Sequence, residues 1–212
     1  MRPLPLLLAP LALAACTTAT HPPRNAPERA QEAFWNALSS HCGNAYEGAL
    51  VSDDARDADF RGAPMIAHWA QCSDTRIAIA FHIFDGDAHG GWNRSRTWIV
   101  TRSGDGLTLK HDHRHADGEA DAVTFYGGTT QGAGDPRAQD FPVDAESIAL
   151  FTREGLDASL TNVWRIEVDP ASEPDARFVY QLTRRNDPSR RFRVEFDASD
   201  PMESAPPPAW GW

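Results

Sequence analysis

The chain has 212 residues, with 30 acidic against 20 basic side chains and a formal net charge of −10. So acidic a molecule repels a phosphate backbone, which sets nucleic acid aside as a partner. The length suits one domain with a full hydrophobic core, and every basic residue but Lys110 is arginine.

Arg2 precedes an apolar run, Leu4 to Leu13, that is too short to span a bilayer, which takes ~20 apolar residues. A positive start, a short apolar segment and small residues predict an export signal over residues 1–15. The run Leu13-Ala14-Ala15-Cys16 resembles the lipobox of bacterial lipoprotein signals. That resemblance implies cleavage before Cys16, whose thiol and new amino terminus carry acyl chains such as palmitate. Each buried methylene adds ~0.8 kcal/mol of membrane affinity, so several chains anchor stably. An ordinary secretory signal with a chance cysteine is the alternative. Thr17 stands where an aspartate typically retains such lipoproteins in the inner membrane, which implies the outer membrane, facing the periplasm. Residues 16–27 read as a lipidated cysteine and a polar, proline-containing tether with nothing to pack.

A barrel-sized domain is expected over residues 28–200. Ala26 to His41 predicts a helix: Pro27 and Glu28 suit a first turn, Gly43 follows the end, and Ala30, Ala33, Phe34, Ala37 and Leu38 form one apolar stripe. Period-two alternation predicts strands at Arg76–Phe84, Thr161–Val168, Arg177–Thr183 and Arg191–Asp197, with Ile77, Ile79, Trp164, Ile166, Phe178, Tyr180, Phe192 and Val194 inside. Weaker strands are expected at Tyr46–Val51, Met65–Cys72, Ser95–Arg102, Leu107–His115, Val123–Tyr126 and Ser147–Arg153. Val51–Pro64 and the glycine-rich Gly127–Pro142 read as long surface loops, and Asp85–Trp92 as a hairpin turn. One helix before about ten antiparallel strands looks like a calycin-type β-barrel closed by a helix; a two-sheet sandwich competes. Cys42 and Cys72, two thiols in an oxidising compartment, are expected to form a disulfide. Residues 201–212 end in a proline run with Trp210 and Trp212, either a free tail or a strap docked on the barrel or a partner.

Familiar catalytic signatures are absent from the sequence: it has no nucleophile elbow, zinc-protease motif or phosphate loop. Asp85, Asp87 and His89 imitate the start of a calcium loop, but Arg96 occupies the position of the bidentate glutamate. The feature with most chemical content is Leu107-Thr108-Leu109-Lys110-His111-Asp112-His113-Arg114-His115. In one strand, Leu107, Leu109, His111, His113 and His115 share a face. Alternate residues lie ~6.6 Å apart, so His111 and His113 can share a zinc-like ion with ~2.0–2.1 Å bonds, whereas all three histidines cannot. A third ligand would come from His82, or from Asp117, Glu119 or Asp121 in the following turn. The same histidines serve equally as the polar lining of a ligand cavity, or as exposed or structural groups. His41 and His68 are expected to be structural, and Trp69 and Trp98 core.

The stretches LKHDHRHADGEADAVTFYGG, FPVDAESIALF and NVWRIEVDP resemble a group of secreted proteins and lipoproteins of Gram-negative bacteria with no assigned function. The expected function is therefore an envelope lipoprotein whose barrel binds a small-molecule ligand through His111, His113, His115 and His82. Two alternatives stand: a metal-binding protein or metal-dependent enzyme centred on His111 and His113, and a structural or interaction lipoprotein. A hollow barrel favours the first, histidines converging with a carboxylate the second, and a filled barrel with a docked or exposed tail the third.

Overall fold

The computed structural model describes residues 26–86 and 89–212. The export signal, the lipobox and Cys16 lie outside the described residues. Helix α1, Ala26–Ser39, precedes β1 (Ala45–Leu50), β2 (Met65–Cys72), β3 (Arg76–Phe84), β4 (Trp92–Ser103), β5 (Gly106–His113), β6 (Tyr126–Thr129) and β7 (Ala138–Pro142). Helix α2, Ala145–Arg153, leads to β8 (Asn162–Val168), β9 (Arg177–Arg184) and β10 (Asp187–Asp197). The ten strands form one antiparallel sheet in the order β6-β5-β4-β3-β2-β1-β10-β9-β8-β7, curled into a nearly closed barrel.

Three of the expected elements differ in the structure. Ser147–Arg153 is not a strand but most of α2. Asp144 caps it by accepting from the Ser147 amide at 2.8 Å, and Ser147 and Phe151, four residues apart, face inward. Gly127–Pro142 is not one long loop, because both of its ends are strands, β6 and β7, that close the barrel. The strand expected at Val123–Tyr126 accordingly starts at Tyr126.

The closing seam is narrow. Gly128 bridges Val143, the Asp144 amide donates to the Gly127 carbonyl at 3.1 Å, and the Gly127 amide donates to Ser147 Oγ at 2.7 Å. A Cβ on Gly127 would sit 1.8 Å from the Leu109 carbonyl oxygen, and one on Gly128 2.1 Å from that of Pro142. Only glycine lets the backbones approach so closely.

Side chains fill the barrel. Trp98 stacks between Phe81 and Tyr180, with centroids 4.5 and 4.3 Å away, and Phe178 and Phe196 pack around it. The eight strand residues expected inside are all buried. At one end α1 plugs the barrel with Phe34 and Leu38, and the Trp69 indole donates to the Leu38 carbonyl at 2.9 Å. The Cys42–Cys72 disulfide, Cα atoms 6.1 Å apart, ties the end of α1 to β2. Closing a loop of this length contributes about 3–4 kcal/mol in the chain-entropy model.

The C-terminal residues run along the outer wall. Arg94 donates to the Pro208 carbonyl at 2.8 Å, and the Trp210 amide donates to the Arg94 carbonyl at 3.0 Å. The Trp212 indole donates to buried Asp112 at 2.8 Å, and the Arg76 guanidinium lies 5.0 Å from the Trp212 ring centroid.

Candidate functional site at the open end of the barrel

The end of the barrel opposite α1 is reached by the last residues of β5 and β9 and the first of β6 and β8. Alternation along β5 places Leu107, Leu109, His111 and His113 on the inner side, with Thr108, Lys110, Asp112 and Arg114 outside. His111 is fully enclosed. Its Nδ1 faces the Tyr126 carbonyl at 3.0 Å, which can only accept, so Nδ1 carries the proton. Nε2 then accepts from the Tyr180 hydroxyl at 2.7 Å. Burial, reinforced by neighbouring His113, pushes His111 down to about 3 and keeps it neutral.

His113 lies one layer nearer the opening, half-buried, with Nε2 3.0 Å from the Tyr126 hydroxyl. Burial and then Arg96 push it down to about 4. The Tyr126 hydroxyl is pushed up to about 12 by burial, and that of Tyr180 is also raised by burial and then by Tyr126. Tyr126 stacks on His111 with centroids 4.8 Å apart, and Trp164 leans against both rings. At neutral pH these groups form an uncharged, hydrogen-bonded floor.

The other candidates separate. His115 is largely exposed, with Nε2 3.8 Å from Asp121 at the rim. Asp117 and Glu119 belong to the exposed turn beyond it. His82 lies on the outer face of β3, buried beside His68 and Arg94, and burial pushes it down to about 4. Neither ring nitrogen of His82, nor Nδ1 of His68, has a hydrogen-bond partner among the described residues. Thus His82 cannot join His111 and His113 as a ligand, since the wall of the barrel separates them. Among the described residues no three histidine, cysteine or carboxylate side chains converge as a metal would need. Both nitrogens of His111 are already engaged, so the pair His111 and His113 offers a metal no free nitrogen from its inner member.

Above the floor is an open cavity of 310 Å³, lined by His113, Tyr126, Trp164, Leu156, Leu182 and Arg184 among others. The volume is at the small end of the ligand-pocket range. Below His113 the barrel holds side chains, not a hollow. Five of these six residues, all but His113, were not singled out as ligand-binding from the sequence. Arg184 had a readable signal, because Phe178, Tyr180, Leu182 and Arg184 continue one period-two face to the end of β9. Tyr126 had none: it reaches the floor only because the Gly127–Gly128 seam draws β6 against β5. Leu156 comes from the turn after α2, which was expected to be a strand.

No family model, no characterised protein and no solved structure matches this chain.

Proposed function

We propose that the protein is a lipid-anchored envelope protein, held by Cys16 at the outer membrane facing the periplasm, whose barrel mouth binds a small ligand. The observation carrying this reading is the 310 Å³ cavity at the open end, floored by neutral His113 and Tyr126 and by Trp164. An aromatic floor with a few fixed polar groups is the usual composition of a small-molecule site. The ligand sits at the mouth rather than deep in the barrel, since Trp98, Tyr180 and Phe178 fill the interior.

The test is a fragment screen by protein NMR, reading the Trp164 indole and the amides of Val123 and Tyr126. A hit is expected to shift these signals together. Leu156→Ser, which strips an apolar rim group 37% exposed, is expected to weaken it about threefold to tenfold. Hits that shift only distant surfaces would overturn the mouth reading.

A second reading, an interaction lipoprotein working through its surface, is favoured by one observation: the interior is packed and the C-terminal strap is bonded to the wall. A screen in which nothing shifts the mouth signals would support it.

A further inference from the structure

The mouth contains a positive charge that makes no ion pair among the described residues. Arg184 ends the inner face of β9 and is half-buried at the cavity. Its Nε donates to Asn162 Oδ1 at 3.1 Å, its only hydrogen bond among the described residues. Among the described residues it has no carboxylate within ion-pairing distance. The nearby carboxylates are taken: Asp54 and Asp187 each lie 2.7 Å from Arg56, and Asp57 is held by Arg190. Burial, then repulsion from Arg190 and Arg56, disfavours the Arg184 charge, and attraction to Asp187, its partner in the strand register, and to Asp54 offsets this only in part. Arg96, opposite His113 in the strand register, is also half-buried and, among the described residues, its side chain bonds only to Ser95 and Asn93. Its charge acts on His113 and Tyr126. Asp121 is the opposing charge at the rim, and it comes from the loop between β5 and β6, three strands removed from β9.

A half-desolvated guanidinium whose terminal N–H groups meet no acceptor among the described residues, beside an aromatic floor, suits one chemistry. We propose that the mouth takes a small anion with a flat apolar body, its carboxylate or similar oxyanion held by Arg184 and its ring packed beside Tyr126, Leu156 and Leu182. The proposal rests on the mouth being the ligand site and names the class of ligand. Guanidinium presents two parallel donors to a carboxylate, which a neutral amide cannot match. His113 and Tyr126, both neutral at pH 7, orient the ring without adding charge.

The test compares 2-naphthoate with 2-naphthamide, the same ring with and without the charge. Both are titrated into the folded protein at pH 7 while the Trp164 indole and the Val123 and Tyr126 amides are followed. The naphthoate is expected to bind about tenfold more tightly, a charge-assisted bond at a half-exposed group. Arg184→Met is expected to bring the two to parity while leaving naphthamide binding within about twofold. If that variant does not fold, a salt titration of the unaltered protein decides, since naphthoate binding alone should weaken with added sodium chloride. Equal binding of both ligands by the unaltered protein, a preference that survives in folded Arg184→Met, or a naphthoate affinity indifferent to salt would each overturn the anion assignment while leaving the mouth as a site. Failure of both ligands to shift the mouth signals would remove the two proposals together.

Discussion

At the residue scale, the histidines divide by what surrounds each imidazole. His111 has a carbonyl on one nitrogen and a hydroxyl on the other, so an apolar core accepts it. Among the described residues His82 has no partner on either nitrogen, with His68 and Arg94 as its charged or chargeable neighbours. Each is held below the ordinary value of 6.5, so the unfolded chain binds protons that the native state refuses. Stability is therefore full above about pH 6.5 and is lost as pH falls. At His82 and His113 the loss levels off near pH 4, and at His111 near pH 3. At His82 alone the loss is about 3 kcal/mol. Urea unfolding at pH 7, 5 and 4 measures it. His82→Leu should be neutral or stabilising at pH 7, because it removes two unpaired polar atoms, and should flatten the decline by roughly that amount. An unchanged slope in His82→Leu would mean that this nitrogen pair finds partners in solution.

At the element scale, the barrel depends on a short strand that carries little hydrophobic signal. β6 is four residues, Tyr-Gly-Gly-Thr, and its glycines allow contact with Leu109 on one side and Pro142 on the other. Gly127→Ala or Gly128→Ala must push backbones apart, at about 3 kcal/mol or more. The expected result is a lower melting temperature and faster amide exchange at residues 126–129 and 141–144. A melting temperature within about 1 °C of the unaltered protein would show that the seam has slack. The same close approach explains why β6 looked like loop in the sequence. Glycine pairs normally signal turns, and only the neighbouring carbonyls reveal the need for a missing Cβ. α2 was legible in retrospect from Asp144 capping Ser147, but Ile148, Leu150 and Thr152 also read as strand alternation, and over so few residues periodicity does not decide.

At the scale of the whole molecule, two ends of the chain make separate demands. The C-terminal strap is bonded along β4 and β5, covering buried Thr97 and Asp112. The N-terminal Cys16 is proposed to hold the barrel at the membrane through the tether. Mass spectrometry of the mature protein is expected to find Cys16 acylated at its amino terminus, and Cys16→Ser to lose the lipid and the membrane fraction. An unlipidated N-terminus at any other residue would withdraw the anchor and the outer-membrane assignment. An anchored barrel with an anion-binding mouth would sample its ligand from the surrounding compartment without releasing the protein into it.

The sequence alone determined the elements whose pattern repeats often enough to be read: the helix-capped antiparallel barrel, the inner face of each long strand, the inward turn of His111 and His113, and the Cys42–Cys72 pairing. These follow from period-two burial and cysteine count, which are local properties. The tertiary structure alone decided that the interior is filled, that His82 is outside the wall, and that Arg184 stands at the cavity with no carboxylate ion-paired to it among the described residues. Those depend on how strands distant in sequence register across the barrel, and on which carboxylates other arginines have already taken. Neither is encoded in the spacing of any one segment.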